Sequence, residues 1–104
     1  MIIQFNTDKT ISGDERSEEH FSALIADALK RFQSHITRIE VHLSDENGNK
    51  SGVNDMRCLL EARIEGKQPI AVSCQEDTVE SALTGALDKL KNSVETILGR
   101  DKNY

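Results

Sequence analysis

ITRIEVHLSDENGNKSG, at residues 36–52, contains the clearest structural pattern in this chain of 104 residues. Its first half alternates apolar and polar side chains, namely Ile39, Val41 and Leu43 with Arg38, Glu40 and His42. This period of two predicts a strand with one buried face and one solvated face. The run SDENGN that follows is dense in turn-forming residues, so the strand must end there. The stretch therefore predicts a half-buried strand at residues 36–44 and a polar loop at residues 45–55.

A helix is predicted on the N-terminal side of this strand, from about Asp14 or Ser17 to near Ser34. Six apolar residues recur there at helical spacing: Phe21, Leu24, Ile25, Ala28, Leu29 and Phe32. Acidic residues in the first turns, with Lys30 and Arg31 in the last, have the polarity that the helix dipole favours. The pattern indicates an amphipathic helix whose apolar stripe packs on a sheet.

Three other segments alternate in the same way, at residues 1–6, 56–64 and 68–75. Pro69, near the start of the last segment, is typical of a strand at the edge of a sheet. The side chains predicted to face inward are Ile3 and Phe5, then Cys58, Leu60, Ala62 and Ile64, and finally Ile70, Val72 and Cys74.

The sequence Glu65-Gly66-Lys67 is a hairpin turn signal between the last two strands. A three-residue loop there pairs Ile64 with Gln68. Equal steps back along both strands then place Cys58 opposite Cys74. We predict two reduced thiols side by side in the core, although a redox switch remains an alternative.

The C-terminal segment predicts a long second helix. Asp77 or Thr78 caps it, and Asp77 with Glu80 has the spacing of a capping box. Its buried stripe consists of Val79, Ala82, Leu83, Ala86, Leu90, Val94 and Ile97. Gly99 is the expected C-terminal stop, and residues 100–104 are expected to be a frayed tail.

The predicted order is β-α-β-β-β-α, which indicates an α+β fold. Because a helix joins the first two strands, those strands should be parallel with a right-handed crossover. The last three strands should form an antiparallel meander. The economical arrangement is one four-stranded sheet with both helices on one face and the other face open to solvent. The length fits a single domain, residues 1–104.

Composition limits the classes of function. The net charge is -5, from 18 acidic and 13 basic residues, whereas a basic surface is typical of nucleic-acid-binding proteins. The sequence has no signal peptide and no membrane-spanning run. The two cysteines and three histidines lack the spacing of metal ligands, and neither a catalytic triad nor a phosphate-binding glycine loop is present. We predict a cytoplasmic protein without catalytic residues, metal or cofactor.

Four short motifs occur in order and span most of the chain. The first helix ends in ALKRF at residues 28–32 and leads into RIEVHL at residues 38–43. The third strand carries CLLEAR at residues 58–63, and the last helix carries DKLK at residues 88–91. Together, these motifs resemble the ribosome hibernation promoting factors. That family includes the ribosome-associated inhibitor A and the proteins once called sigma-factor modulation proteins.

The resemblance implies a non-enzymatic factor that binds the small ribosomal subunit in the channel used by mRNA and tRNA. Such a factor inhibits translation and protects idle ribosomes under stress. The resemblance also implies a fold like that of double-stranded-RNA-binding domains and a short form without a ribosome-pairing domain. The expected partner is the rRNA of the small subunit, with no DNA or membrane partner, and the expected state is a monomer or weak homodimer.

The resemblance makes five basic residues candidates for rRNA binding: Lys30, Arg31, Arg38, Lys89 and Lys91. Lys89 and Lys91 are about 200° apart around a helix, so they do not share one stripe. Asp27 lies four residues before Arg31, and Glu95 lies four residues after Lys91. Such pairs weaken the field that a phosphate would meet. Spacing leaves open whether the five cations converge where the helix ends meet or are only solvent-exposed side chains on the helix faces.

Two other classes of function stay open. A protein-interaction or dimerising module would use the open sheet face, where Ile2 and Leu59 are apolar. An enzyme would need a carboxylate or thiol site. The charged residues of the open face are better explained as a lattice of cross-strand ion pairs, formed by Arg38, Glu40 and His42 with Arg57, Glu61 and Arg63.

Overall fold

The structure is a computed structural model that describes residues 1–7, 11, 17–46 and 55–102, without the side chains of residues 100–102. Its elements, in chain order, are β1 (Ile2–Thr7), α1 (Glu18–Ala28), a 3-10 helix (Lys30–Phe32), β2 (Ile36–Asp45), β3 (Met56–Ile64), β4 (Ile70–Glu76) and α2 (Val79–Lys102). The predicted order β-α-β-β-β-α is confirmed. Most of the predicted loop at residues 45–55 lies outside the described residues. Asp45 completes β2, and the Glu46 N–H donates to the Asp55 carbonyl over 2.7 Å, where the chain returns towards β3.

The four strands form one sheet in the order β1-β2-β3-β4. The pair β1 and β2 is parallel, with Ile3 beside Ile39, and the other two pairs are antiparallel. Both directions agree with the sequence prediction. They follow from the connections, because the segment between β1 and β2 contains a helix, whereas a tight turn joins β3 to β4.

The turn between β3 and β4 fixes the register that was predicted from residue counting. Gly66 has a φ of 76°, which glycine adopts without steric cost, and the Lys67 N–H donates to the Ile64 carbonyl over 3.0 Å. With the turn closed in this way, Cys58 lies directly opposite Cys74. The predicted pairing of the two cysteines is therefore confirmed.

The core lies on one side of the sheet, between the inward side chains of the strands and the stripes of both helices. The buried strand residues are Ile36, Ile39, Val41, Leu43, Cys58, Leu60, Ala62 and Ile64. They form one cluster with residues of α1, the 3-10 helix and α2. Leu98, and not the predicted Ile97, completes the buried stripe of α2. Ile2, on the opposite face, is 66% exposed. Both helices therefore cover the same sheet face, as predicted.

The first helix is shorter than predicted. It ends at Ala28, and Leu29 leaves the helical conformation at φ -105° and ψ 16°. The next backbone bonds are tighter, from the Phe32 N–H to the Leu29 carbonyl and from the His35 N–H to the Phe32 carbonyl. This 3-10 geometry still buries Leu29 and Phe32. The apolar pattern therefore predicted the buried residues correctly, although the backbone there is 3-10 and not α-helical.

The second helix is longer than predicted, because it continues through Gly99 to Lys102. Glycine ends a helix by adopting a positive φ, and among the described glycines that conformation occurs at Gly66. Leu98 beside Gly99 is 8% exposed and packs in the core cluster. The expected stop at Gly99 is therefore wrong: core packing of the preceding turn supports continued helix.

Thr78 caps the N-terminus of α2. The backbone N–H of Ser81 donates to Thr78 Oγ1 over 3.1 Å, and the Ala82 N–H donates to the Thr78 carbonyl over 3.0 Å. Of the two cap candidates in the sequence, the structure selects Thr78. Asp77 then lies one residue outside the cap, so the capping-box spacing of Asp77 and Glu80 does not apply.

Replacing Thr78 by alanine is expected to lower the free energy of unfolding by about 1 kcal/mol, because a Ser81 N–H at the helix end loses its acceptor. Urea denaturation of both proteins measures this difference. Thr84→Ala is the matched control, because Thr84 is exposed in the second turn of α2, where alanine favours helix. Equal losses in the two variants would contradict the assignment of Thr78 as the cap.

Candidate nucleic-acid interface

The 3-10 helix presents two of the candidate cations, Lys30 and Arg31, at the surface. Arg31 Nη2 lies 3.7 Å from Glu95 Oε1, which places the 3-10 helix beside the C-terminal half of α2. The Arg31 guanidinium also lies over the Phe32 ring, 4.9 Å from its centroid. Since Phe32 is buried, this cation–π contact restrains the guanidinium beside the 3-10 helix.

Lys91 lies on the same flank of α2 as Glu95, because residues four apart on a helix are neighbours. Glu95 in turn contacts Arg31, so this flank faces the 3-10 helix. The structure thus brings Lys91 to the region of Lys30 and Arg31. We call these three residues, Lys30, Arg31 and Lys91, the helix-junction patch.

The ion pair of Arg31 differs from the one that sequence spacing suggested. Asp27 precedes Arg31 by four residues, but it belongs to α1 whereas Arg31 follows the end of that helix. The four-residue neighbour rule applies only within a continuous helix. The described ion pair joins Arg31 to Glu95 across the two helical segments instead.

Lys89 lies on the other flank of α2. Its Nζ donates to the backbone carbonyl of Ser73 over 2.7 Å, and Ser73 belongs to the edge strand β4. The angle of about 200° between Lys89 and Lys91 accounts for the separation. Lys89 therefore covers a sheet edge and does not join the helix-junction patch.

Arg38 lies on the open face of the sheet, opposite the helices. It alternates with the buried Ile39, and its Nη2 donates to Gln4 Oε1, while its Nε lies 3.8 Å from Glu40 Oε2. Of the five candidate cations, the three of the helix-junction patch therefore lie on the helical side of the sheet, and Arg38 and Lys89 lie on other surfaces. The alternation of β2 already indicated the face on which Arg38 lies.

Comparison with known proteins identifies the family. Residues 6–102 match the model of the family described as sigma 54 modulation protein / S30EA ribosomal protein. The chain belongs to this family. The resemblance to ribosome hibernation factors in the sequence is thereby confirmed. No curated protein matches this S30EA chain.

Two solved structures are similar to the S30EA chain. A ribosomal subunit interface protein from Coxiella burnetii has a TM-score of 0.70 at 16% identity, over 95% of this chain and 99% of that one. The N-terminal domain of Protein Y from Thermus thermophilus has a TM-score of 0.73 at 16% identity, over 93% of this chain and 99% of that one. At these identities the likeness concerns the fold, and it agrees with the predicted α+β class.

On the open sheet face of this S30EA chain, opposite charges are paired less completely than the predicted lattice of ion pairs requires. Register places like charges directly opposite one another, with Arg38 beside Arg63 and Glu40 beside Glu61. Cross-strand attraction comes from His42, whose Nε2 lies 3.0 Å from Glu61 Oε1. Pairs this exposed contribute little to stability. Of the predicted cross-strand pairs, His42 and Glu61 are in contact, whereas the directly opposed like charges repel.

The two thiols of the S30EA chain are poor nucleophiles. Burial raises the pKa of Cys58 to about 12, and the neighbouring Cys74 adds to this increase. Burial also raises the pKa of Cys74, helped by its hydrogen bond to Glu76 Oε2 over 3.6 Å. Both cysteines are free and protonated at neutral pH, and the reactive form of a thiol is the thiolate. These properties favour two core thiols over a thiol-based active site.

Sequence reasoning missed two contacts that join the helices of the S30EA chain. His20 Nε2 lies 3.2 Å from Glu80 Oε1, near the N-terminal ends of α1 and α2. Glu95 was noticed only as a neighbour of Lys91, and its contact with Arg31 was not expected. Spacing along one helix carries no information about contacts with another, so neither pair had a signal in the sequence.

Within the part of the chain that the structure describes, no group of three or more His, Cys, Asp and Glu side chains is placed to hold a metal ion. The described helices also include none with the length and hydropathy needed to cross a bilayer.

Proposed function

We propose that this protein binds the small ribosomal subunit through the helix-junction patch and keeps the subunit from translating. Membership of the S30EA family over residues 6–102 carries the proposal. The family description, which names a ribosomal protein, and the name of one structural neighbour, a ribosomal subunit interface protein, support the ribosome as the partner. The family is not known for enzymatic activity, and we propose a cytoplasmic binding factor that catalyses no reaction.

The net charge of -5 is compatible with rRNA binding, because charges act locally in salt solution. The Debye length is about 8 Å at physiological ionic strength, so a phosphate at the helix junction is screened from acidic residues farther away. Lys30, Arg31 and Lys91 supply mobile or planar donors that suit phosphate oxygens. Recognition would depend on the charge and shape of the rRNA and not on its base sequence.

Co-sedimentation with separated ribosomal subunits tests this proposal. Binding to the small subunit and not to the large one is expected. If three cations contact phosphates, affinity should fall roughly 20- to 40-fold between about 50 and 200 mM salt, because each contact releases counterions. A protein that stays in the supernatant with both subunits at the lowest salt would contradict the proposal.

A dimerising module on the open sheet face is less well supported. Ile2 is the large apolar side chain most exposed there among the described residues. The same face carries Arg38, Glu40, Glu61 and Arg63, two of each sign, in like-charged opposing pairs. A dimer would have to remove these charges from water, which is costly without well-matched partners.

Lys89 and Lys91 form a matched pair for locating the interface. Lys91→Gln is expected to weaken binding to the small subunit about five- to eightfold at about 0.1 M salt, the effect of one phosphate contact. Lys89→Gln should stay within about twofold of the wild type, because its ammonium group lies on the other flank of α2, beyond the range of unscreened attraction. Fluorescence anisotropy of labelled protein measures both. A larger loss of affinity for Lys89→Gln than for Lys91→Gln would indicate that the interface lies at the β4 edge.

A further inference from the structure

The helix-junction patch already holds an anion of its own. Glu95 Oε1 lies 3.7 Å from Arg31 Nη2, and these side chains are 39% and 71% exposed, respectively. Glu95 also lies one helical turn after Lys91, so the same carboxylate is a neighbour of two cations of the patch. The patch is therefore partly neutralised before any partner arrives.

The position of Glu95 matters because a carboxylate and a phosphate compete for the same donors. Guanidinium groups bind both through oxygen atoms in similar planar geometry. The Phe32 ring holds the Arg31 guanidinium from one side, 4.9 Å from the ring centroid, and this limits how far Arg31 can turn away from Glu95. A phosphate that approaches the junction meets an Arg31 whose side chain is already engaged.

We propose that Glu95 is an internal competitor for rRNA: its carboxylate takes the place of a phosphate oxygen on Arg31 and is displaced when the ribosome binds. This inference rests on the proposed function. Because the pair is largely exposed, its displacement is easy and Glu95 does not block the site. Glu95 lowers the affinity of the patch for a single phosphate. An RNA that contacts several cations at once is therefore bound in preference to a ligand with one phosphate.

The competition has a signature in the salt dependence. When a phosphate replaces Glu95 on Arg31, the freed carboxylate repels the RNA, and added salt screens this repulsion. Wild type therefore loses affinity with salt less steeply than Glu95→Gln, which carries no carboxylate at this position. The slope of log affinity against log salt should become steeper in Glu95→Gln by a fraction of the contribution of one full phosphate contact, which is about 0.7 to 0.9.

The experiment measures affinity for purified small ribosomal subunits at several salt concentrations with full-length wild type and Glu95→Gln. Glu95→Gln is expected to bind about two- to fivefold more tightly at low salt, the range typical of an exposed ion pair. The control is Glu19→Gln, which removes the same charge from an exposed site in the first turn of α1, about 14 Å before the end of that helix. In an Arg31→Gln background, the gain from Glu95→Gln should shrink towards that of the control.

The outcomes separate the inference from the function on which it rests. The competition is supported if Glu95→Gln binds more tightly and with a steeper salt slope than wild type, and Glu19→Gln does not. Wild type that binds the subunit, with Glu95→Gln and Glu19→Gln equal in affinity and slope, overturns the inference and leaves the proposed function standing. Absence of binding by every protein overturns both.

Discussion

Replacing Lys30, Arg31 and Lys91 together by glutamine is expected to weaken binding to the small ribosomal subunit roughly 100- to 500-fold at about 0.1 M salt. The estimate assumes one phosphate contact for each cation and a salt slope of about 0.7 to 0.9 for each contact. The three side chains are exposed or half-buried, so the fold should be retained. Sedimentation with small subunits over a range of salt concentrations measures both the loss of affinity and the smaller slope.

A control with the same change in charge distinguishes a local interface from general attraction. Arg57→Gln, Arg63→Gln and Lys89→Gln together also remove three positive charges, but from the open sheet face and the β4 edge. This triple variant should lose much less affinity than the patch variant. If the two variants lose affinity equally, binding follows net charge and the patch is not the interface. A larger loss in the control would place the interface on the open face or at the β4 edge.

The strands and their register were predictable because their signals are local. Alternation identifies the inner face of each strand, and the turn at Gly66 sets the pairing of Cys58 with Cys74 by counting alone. The ends of the helices were not predictable in this way. An α-helix and a 3-10 helix can bury the same Leu29 and Phe32, and the packing of Leu98 decides whether Gly99 remains helical.

The candidate interface was predictable only as a set of residues. The sequence identified five cations, and the angle between Lys89 and Lys91 showed that those two diverge. Whether Arg31 meets Lys91 depends on where α1 ends and how the 3-10 helix packs on α2, which are properties of the assembled core. The contact of Arg31 with Glu95 joins positions 64 residues apart, and one sequence alone has no signal for such a pair.

Gly85→Ala is expected to destabilise the protein, although alanine normally favours a helix. A Cβ at position 85 would lie 2.5 Å from Cys74 Sγ and 3.4 Å from Cys74 Cβ, since α2 packs directly against β4 at this point. Overpacking of this kind costs about 1–3 kcal/mol, partly offset by about 1 kcal/mol of helix propensity. The expected net loss is therefore up to about 2 kcal/mol in the free energy of unfolding, measured by urea denaturation.

In a Cys74→Ala background, Gly85→Ala should raise the free energy of unfolding and no longer lower it. Without Sγ, the nearest described atom to the new methyl group is the Cβ of residue 74, at a distance close to ordinary contact. Gly85→Ala in the Cys74→Ala background should then stabilise the protein by up to about 1 kcal/mol, the propensity gain alone. A double-mutant cycle gives the coupling between the two sites directly. A coupling near zero would mean that Cys74 turns aside at no cost, and that the glycine in α2 is not required by the close approach of the edge strand.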